Sequence, residues 1–264
     1  MIICVDVGNS SINFGIYKEN ELICTFKSST KEVTSFNKLK EEFSIALNEY
    51  GLLQYDMEFM MISSVVERLN VLLKKLSEEL KIECYFINYN SPLGIGINFN
   101  NKEEVPSDLL VGCYQAASKY QLPLVVVDIG TATTIMMVNG RKEIDGGLIY
   151  PGVISSYKHL YNDTAVVGKV SQVLPKRVIG KSIIECLQNA MLYGSMNAIN
   201  GMVEMLREEA GYEYMNVIVT GGLSNYLSPF IDGAITDENL ILDGLNDIYL
   251  NIGKRLYLRT KFID

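Results

Sequence analysis

The chain has one histidine, His159, and five scattered cysteines, none of them in a Cys-x-x-Cys pair. The single histidine rules out His-rich metal sites and disfavours a Ser-His-Asp hydrolase. The odd number of dispersed cysteines argues against disulfides and against a zinc site, so a reducing, cytoplasmic location is expected. Uninterrupted apolar runs of about 18 residues are also missing, so no membrane span is predicted.

Basic residues are in the minority, with 23 Lys and Arg against 31 Asp and Glu and a net charge of −8. Because no basic patch stands out, a nucleic-acid partner is not expected. Met1 leads directly into an apolar run without a charged region or a cleavage site, so no secretory signal is expected either. The 264 residues, 48% of them hydrophobic, suffice for one large domain or two ordinary ones.

Two acidic glycine turns are the most informative motifs that are present. Asp-Val-Gly-Asn-Ser-Ser occupies 6–11 after one apolar run, and Asp-Ile-Gly-Thr-Ala-Thr-Thr occupies 128–134 after another. A second strand-like run follows each turn, which predicts two β-hairpins. The glycine lets backbone N–H groups approach an anion, and the aspartate can hold a hydrated cation. One such turn is also compatible with a plain hairpin, but two of them indicate a duplicated domain that binds phosphates and metal.

The order of predicted elements supports the duplication. Strands are predicted at 2–6, 11–18, 21–27, 59–62, 83–87, 123–128, 133–138, 143–149 and 216–220, and helices at 34–50, 69–80, 107–120, 152–161, 180–210 and 240–254. We expect a duplicated α/β fold with an N-terminal domain over 1–115 and a C-terminal domain over 116–264.

Three further features are weaker when taken alone. Gly221-Gly222 after a strand allows a flat base to lie against bare backbone, but it is also compatible with a plain loop. The segment 146–152 is rich in glycine and leads into a predicted helix, whose N-terminus suits anions. Asp108 lies near the start of a helix, where a carboxylate is equally typical of a catalyst and of an N-terminal charge.

Together, these motifs resemble type III pantothenate kinases over the whole chain. The resemblance rests on Asp6-x-Gly8-Asn9-Ser10, Ile62-Ser63-Ser64-Val65-Val66, Asp108, Asp128-x-Gly130-Thr131-Ala132-Thr133-Thr134, Gly146-Gly147-x-x-x-Pro151-Gly152, Thr164-Ala165, Gly180-Lys181, Thr220-Gly221-Gly222-Leu223 and the segment 237–245. It implies an actin-like, ribonuclease H-like two-domain fold with a central cleft. It also implies ATP-dependent phosphorylation of pantothenate in coenzyme A biosynthesis, a homodimer, and a requirement for Mg²⁺ with K⁺ or NH₄⁺.

The resemblance also implies residue roles. Asp6 would hold Mg²⁺ through water, and Asp128 would help to bind the monovalent cation. Asp108 would be the general base that takes the proton of the attacking hydroxyl. ATP would be bound by Asp6, Gly8, Asn9, Ser10, Gly130, Thr131, Thr133, Thr134, Gly221 and Gly222.

Departures from the family pattern all fall on the acceptor side, whose predicted residues are Phe99, Pro106, Ser107, Leu109 and Ile183. Leu109 replaces an arginine that would grip a carboxylate, Phe99 replaces a tyrosine, and Ile183 replaces a threonine. Three interpretations therefore stay open. The first is a pantothenate kinase with re-evolved carboxylate contacts that use Lys102 or Lys181. The second is a kinase of another hydroxyl substrate, and the third is a non-catalytic nucleotide-binding member. A homodimer through the long Met-rich helix 180–210 is also expected.

Overall fold

The structure is a computed structural model that describes residues 1–156 and 177–253. His159, Thr164-Ala165, residues 157–161 of the predicted helix 152–161 and the last residue of the predicted helix 240–254 lie outside the described residues. The chain divides into two compact units. The first comprises Met1–Ile95, Phe99–Ser118 and the described residues from Asn239 onward, and the second comprises Gly96–Asn98 and the described residues of Lys119–Glu238.

The main elements follow in chain order. They are β1 (Ile2–Val7), β2 (Ser11–Lys18), β3 (Glu21–Ser29), α1 (Phe36–Glu49), β4 (Phe59–Ser64), α2 (Glu67–Leu80), β5 (Glu83–Phe86), β6 (Gly96–Ile97), α3 (Ser107–Lys119), β7 (Leu124–Ile129), β8 (Ala132–Val138), β9 (Glu143–Pro151), α4 (Ile183–Glu209), β10 (Asn216–Thr220), α5 (Ser224–Leu227), β11 (Ala234–Thr236) and α6 (Leu240–Ile248). The predicted strands and most predicted helices are confirmed, with ends that differ by a few residues.

The first unit is built on a five-stranded sheet in the order β3-β2-β1-β4-β5. Strands β1, β2 and β3 form an antiparallel meander, while β4 and β5 run parallel to β1. Strand β1 lies at the centre and is buried along nearly its whole length, as expected for a strand covered on both faces. Asp6 lies near the carboxyl end of this central strand, just before the first glycine turn.

Helix α1 covers one part of this sheet because its apolar residues recur at helical spacing. Ser35 caps its N-terminus by accepting a hydrogen bond from the Lys38 N–H at 3.3 Å. Phe43 on its buried face packs against Phe14 and Phe26, with ring centroids 5.7 and 5.8 Å away. This cluster forms part of a core that fixes the hairpin β2–β3 beneath the first glycine turn.

Helix α6 belongs to the first unit, which corrects the predicted assignment of 240–253 to the C-terminal half. Tyr17 donates a hydrogen bond to Asp243 at 2.6 Å, and Tyr114 donates one to Asp247 at 2.6 Å. Gly244 leaves no room for a side chain beside Val111, since a Cβ would lie 2.8 Å from Val111 Cγ1. The chain thus returns to its first sheet after completing the second.

The second unit repeats the first. Its six-stranded sheet has the order β11-β10-β7-β8-β9-β6, so β7, β8, β9, β10 and β11 take the places of β1, β2, β3, β4 and β5. The strand directions also match, antiparallel across β7-β8-β9 and parallel across β7-β10-β11. Helix α4, 27 residues long, packs Leu192, Met196 and Ile199 into the core of this unit. The α/β duplication expected from the two glycine turns is present.

Candidate active site

The first glycine turn follows the central strand of the first sheet. The Gly8 N–H donates to the Ser11 carbonyl at 2.9 Å, which closes the turn between β1 and β2. Asn13 Nδ2 donates to Asp6 Oδ2 at 3.0 Å, so one carboxylate oxygen is oriented by the opposite strand. Asn9 and Ser10 are exposed at the tip. The turn therefore presents a fixed carboxylate and accessible backbone at the edge of the sheet.

The second glycine turn has the same construction in the second unit. The Gly130 N–H donates to the Ala132 carbonyl at 3.0 Å between β7 and β8. Asp128 lies opposite Thr134 on β8 and beside Thr220 on β10, as Asp6 lies opposite Asn13 and beside Ser63. Each central aspartate is thus level with a hydroxyl residue on the neighbouring parallel strand.

Two hydroxyl groups of the second turn have unused hydrogen-bonding capacity. Thr133 Oγ1 and Thr134 Oγ1 are buried and have no hydrogen-bond partner among the residues that the structure describes. Leaving a buried hydroxyl unpaired costs about 1–3 kcal/mol, and such groups are rare in folded proteins. The two residues are adjacent on β8, so their side chains point to opposite faces of the sheet, and a ligand with acceptor oxygens at this turn, such as a phosphate, would satisfy one of them.

The double-glycine turn lies against the second hairpin. Gly221 has a φ of +92°, and a Cβ there would lie 2.7 Å from the Ile129 backbone nitrogen and closer still to Asp128 Oδ1. The Leu223 N–H donates to the Ile129 carbonyl at 3.2 Å, which fixes this approach. Gly222 is exposed, with open space around the position of a Cβ. The structure therefore brings Asp128, Gly130 and Gly221 together.

The segment after β9 also packs on the second turn. At Gly152 a Cβ would lie 2.5 Å from the Gly130 carbonyl oxygen, so only glycine allows this approach. Ser155 donates a hydrogen bond to the Thr131 carbonyl at 2.7 Å. Most of the glycine-rich segment, 146–151, lies within strand β9, and helical residues begin only at 153.

Asp108 lies in the first turn of α3 in the first unit and is partly buried. Burial raises the pKa of this carboxyl, and the Leu109 N–H, which donates to Oδ1 at 2.8 Å, offsets part of the rise. Burial, and secondarily the charge of Asp108, raises the pKa of the Cys113 thiol to about 12, which leaves that thiol inert. A carboxylate with a raised pKa accepts a proton more readily than an ordinary one does.

Ser107, a predicted acceptor contact, packs against the carboxyl end of β4. It is buried, and its Oγ lies 3.0 Å from Ser63 Oγ and accepts the Ser64 N–H at 2.9 Å. These bonds join the carboxyl end of β4 to the start of α3, next to Asp108. Ser63 and Thr220 carry no predicted role in the sequence, but the duplicated strand order places each of them beside a central aspartate.

The remaining acceptor residues are surface or half-buried positions. Pro106 is exposed, and Leu109 and Phe99 are half-buried, all three in the first unit. Ile183 begins α4 in the second unit with 65% of its surface exposed, directly after the helix cap Ser182.

The donor set suits Mg²⁺ bound through water. No group of three or more His, Cys, Asp or Glu side chains that could hold a metal occurs within 1–156 and 177–253. Mg²⁺ usually keeps several waters and binds one or two carboxylates together with substrate phosphates. Asp6, oriented by Asn13 at the strand end, fits that mode of binding.

Among the described residues, none of the helices combines the length and the apolar character that a membrane span requires.

The repeated sheet with an acidic hairpin at its centre defines a duplicated, actin-like α/β fold. Two solved structures share it: component A of the (R)-2-hydroxyglutaryl-CoA dehydratase of Acidaminococcus fermentans, with a TM-score of 0.55, 12% identity and coverage of 97% of this chain and 98% of the other, and a Baf-family protein from Campylobacter jejuni, with a TM-score of 0.58, 22% identity and coverage of 96% and 99%.

Sequence comparison is more specific than the fold. The sequence model of type III pantothenate kinases matches residues 2–205. A type III pantothenate kinase of Citrifermentans bemidjiense is 33% identical over 262 residues, which cover 94% of this chain and 98% of the relative. The chain belongs to the type III pantothenate kinase family.

Proposed function

We infer that this protein is an ATP-dependent kinase that phosphorylates the hydroxyl group of pantothenate to give 4'-phosphopantothenate, the first step of coenzyme A biosynthesis. The observation that carries this conclusion is the match to the family over nearly the whole of both chains. Both acidic glycine turns, on which nucleotide binding depends in this proposal, are intact.

ATP binding is assigned to the two glycine turns and the double-glycine turn. Asn9 and Ser10 are exposed at the first tip, and the Thr133 and Thr134 hydroxyls are unpaired within the described structure. Phosphate oxygens would accept hydrogen bonds from the first tip, from one of the two threonine hydroxyls and from the backbone of Gly8, Gly130 and Thr131. Gly221 and Gly222 would flank the adenosine, since the backbone at Gly222 is bare and accessible.

The cation roles follow from the two central aspartates. Asp6 would hold Mg²⁺ through water, and Asp128 would help to bind K⁺ or NH₄⁺. Bound Mg²⁺ supplies neutralisation of the charge that develops on the phosphates. The chain itself fixes the carboxylate, through Asn13 at Asp6.

Asp108 would act as the general base. It would accept the proton of the attacking hydroxyl as the new oxygen–phosphorus bond forms and ADP departs. Its raised pKa favours this proton transfer, and the Leu109 N–H holds Oδ1 in place. A member that only bound nucleotide would have no chemical need for this group.

Leu109 favours a second candidate, a kinase of the same fold that acts on a less anionic alcohol. Its side chain is half-buried and cannot pair with a carboxylate. Phe99, Pro106 and Ile183 would complete the acceptor contacts in either case. A coupled ADP-release assay with Mg²⁺, K⁺ and ATP separates the candidates. Turnover with pantothenate above that with other alcohols supports the first, and turnover only with an uncharged alcohol supports the second.

We also propose a cytoplasmic homodimer formed through α4. One face of this helix is exposed and consists mainly of small residues, at Ala190, Gly194, Asn197 and Gly201, and continues to Met205, which is 66% exposed. Small residues allow two helices to approach closely, and an exposed methionine adds adaptable apolar surface.

A further inference from the structure

Thr30, which follows β3, forms two hydrogen bonds with the first glycine turn. Its side chain is 3% exposed, and its Oγ1 donates a hydrogen bond to the Gly8 carbonyl at 2.7 Å. Its backbone N–H donates to the Ser10 carbonyl at 3.2 Å. Thr30 thus binds the carbonyls of both Gly8 and Ser10, although it lies 22 residues after Gly8 in the sequence.

This contact determines where a backbone donor points. In a trans peptide unit, the carbonyl and the following N–H point in opposite directions. Because the Gly8 carbonyl points toward Thr30, the Asn9 N–H must point away from it, toward the exposed side of the turn. Asn9 itself is exposed at the tip of the turn.

Arg68 secures Thr30 in turn. Its guanidinium, in the first turn of α2, donates to the Thr30 carbonyl and, at 2.8 Å, to the Val33 carbonyl. Val33 is fully buried in the core of the first unit. The hydrogen bonds therefore run from α2 through Thr30 to the tip of the turn.

A similar contact is present in the second unit. Ser155 Oγ donates to the Thr131 carbonyl at 2.7 Å, so the Ala132 N–H points away from Ser155 by the same peptide geometry. Each acidic glycine turn thus has one tip carbonyl held by a hydroxyl from outside its own hairpin.

We propose that Thr30, supported by Arg68, is a positioning residue for the phosphates of the nucleotide: it orients the backbone N–H of Asn9 toward them without touching the ligand. This inference rests on the proposed function, in which the first glycine turn binds ATP phosphates. It predicts that the contribution of Thr30 to binding depends on the phosphates and not on the adenosine.

The test uses Thr30→Val, which removes the hydroxyl with little change of volume, and Thr30→Ser, which keeps it. Arg68→Met removes the guanidinium that donates to the Thr30 and Val33 carbonyls and keeps an unbranched side chain at this exposed position. Ser77→Ala is the matched control, because Ser77 is also 3% exposed and donates to a carbonyl, that of Lys74, at 2.7 Å. Calorimetric titration with adenosine and with Mg-ATP gives the affinities, and steady-state assays give kcat and the KM for ATP.

In Thr30→Val we expect Mg-ATP affinity to fall about three- to tenfold, the effect of one net hydrogen bond, while adenosine affinity changes less than about twofold. Thr30→Ser should restore ATP affinity, Arg68→Met should weaken it in the same direction, and Ser77→Ala should leave both affinities unchanged. Equal losses of adenosine and ATP affinity in Thr30→Val would overturn the positioning role of Thr30 and leave the proposed function untouched. Unchanged ATP affinity in both Thr30→Val and Arg68→Met would do the same. A wild-type protein that binds ATP no more tightly than adenosine would overturn the proposed function together with it.

Discussion

At the scale of single residues, Asp108 combines a proposed catalytic role with an energetic cost, since burial disfavours its ionised form. We expect Asp108→Asn to lower kcat by about 10²–10⁴-fold, because a general base acts in the transition state. ATP affinity should stay nearly unchanged, since the base acts on the acceptor. Steady-state kinetics and nucleotide titration measure both quantities. If Asp108 were only an N-terminal helix charge, kcat would remain close to that of the wild type.

The pH dependence of Asp108 gives a second, independent expectation. Burial raises its pKa in the folded state, so the folded protein binds this proton more tightly than the unfolded chain does. The resulting stability is present at low pH and is lost as the pH rises through the folded pKa. At neutral pH the ionised group therefore costs stability, and Asp108→Asn should melt at the same or a higher temperature.

In the wild type, kcat/KM should fall on the acid side with an apparent pKa above about 3.9, the ordinary aspartate value.

Leu109 is the residue that tests the acceptor. If pantothenate is the substrate, its KM should be high, and Leu109→Arg should lower it about ten- to a hundredfold, because a bidentate pair with the carboxylate is worth about 1.5–3 kcal/mol. Leu109→Met keeps the position apolar and serves as the control. A less anionic acceptor predicts the opposite sign, since the half-buried guanidinium would then lack a partner. A low KM for pantothenate in the wild type would contradict the expectation that Leu109, in place of an arginine, weakens binding of the carboxylate.

At the scale of elements, the double-glycine turn provides a matched pair of substitutions. We expect Gly221→Ala to destabilise the protein by about 1–3 kcal/mol, because its φ is +92° and the new Cβ would lie 2.7 Å from the Ile129 nitrogen. Gly222→Ala has open space and should change the free energy of unfolding by less than about 0.5 kcal/mol. Urea denaturation measures both effects. Equal stabilities of the two variants would contradict the close packing of this turn on β7.

The sequence predicted elements with strong local signals and missed those that depend on the sheet. Strands β1 and β7 were recognisable because each is an apolar run that ends in Asp-x-Gly. Strand β11 has three residues and is a strand only because β10 lies beside it, so periodicity could not reveal it. The same limit applies to the site. Strands β2 and β3 separate Gly8 from Thr30 in the sequence, and no residue spacing indicates the hydrogen bond between them. The packing of α6 on the first sheet was missed for the same reason.

At the scale of the whole molecule, the duplication explains how one chain of 264 residues carries two acidic turns of the same construction. Each turn follows the central strand of its own sheet, so its position depends on a core that is complete within one unit. The second unit also carries the exposed face of α4, which its own core leaves uncovered. Assembly of two copies is therefore expected to involve this unit.

We predict that light scattering at micromolar concentration gives twice the chain mass of 29.6 kDa. Gly194→Glu, in the middle of the exposed face of α4, should produce a monomer, because a charged side chain would prevent close helix packing. Loss of the dimer could not be attributed to unfolding of the helix, since glutamate is a better helix former than the glycine it replaces. Val71→Glu is the control, because Val71 is 71% exposed on α2, and it should remain dimeric. A monomeric wild type, or a Gly194→Glu variant that stays dimeric, would show that α4 does not form the interface.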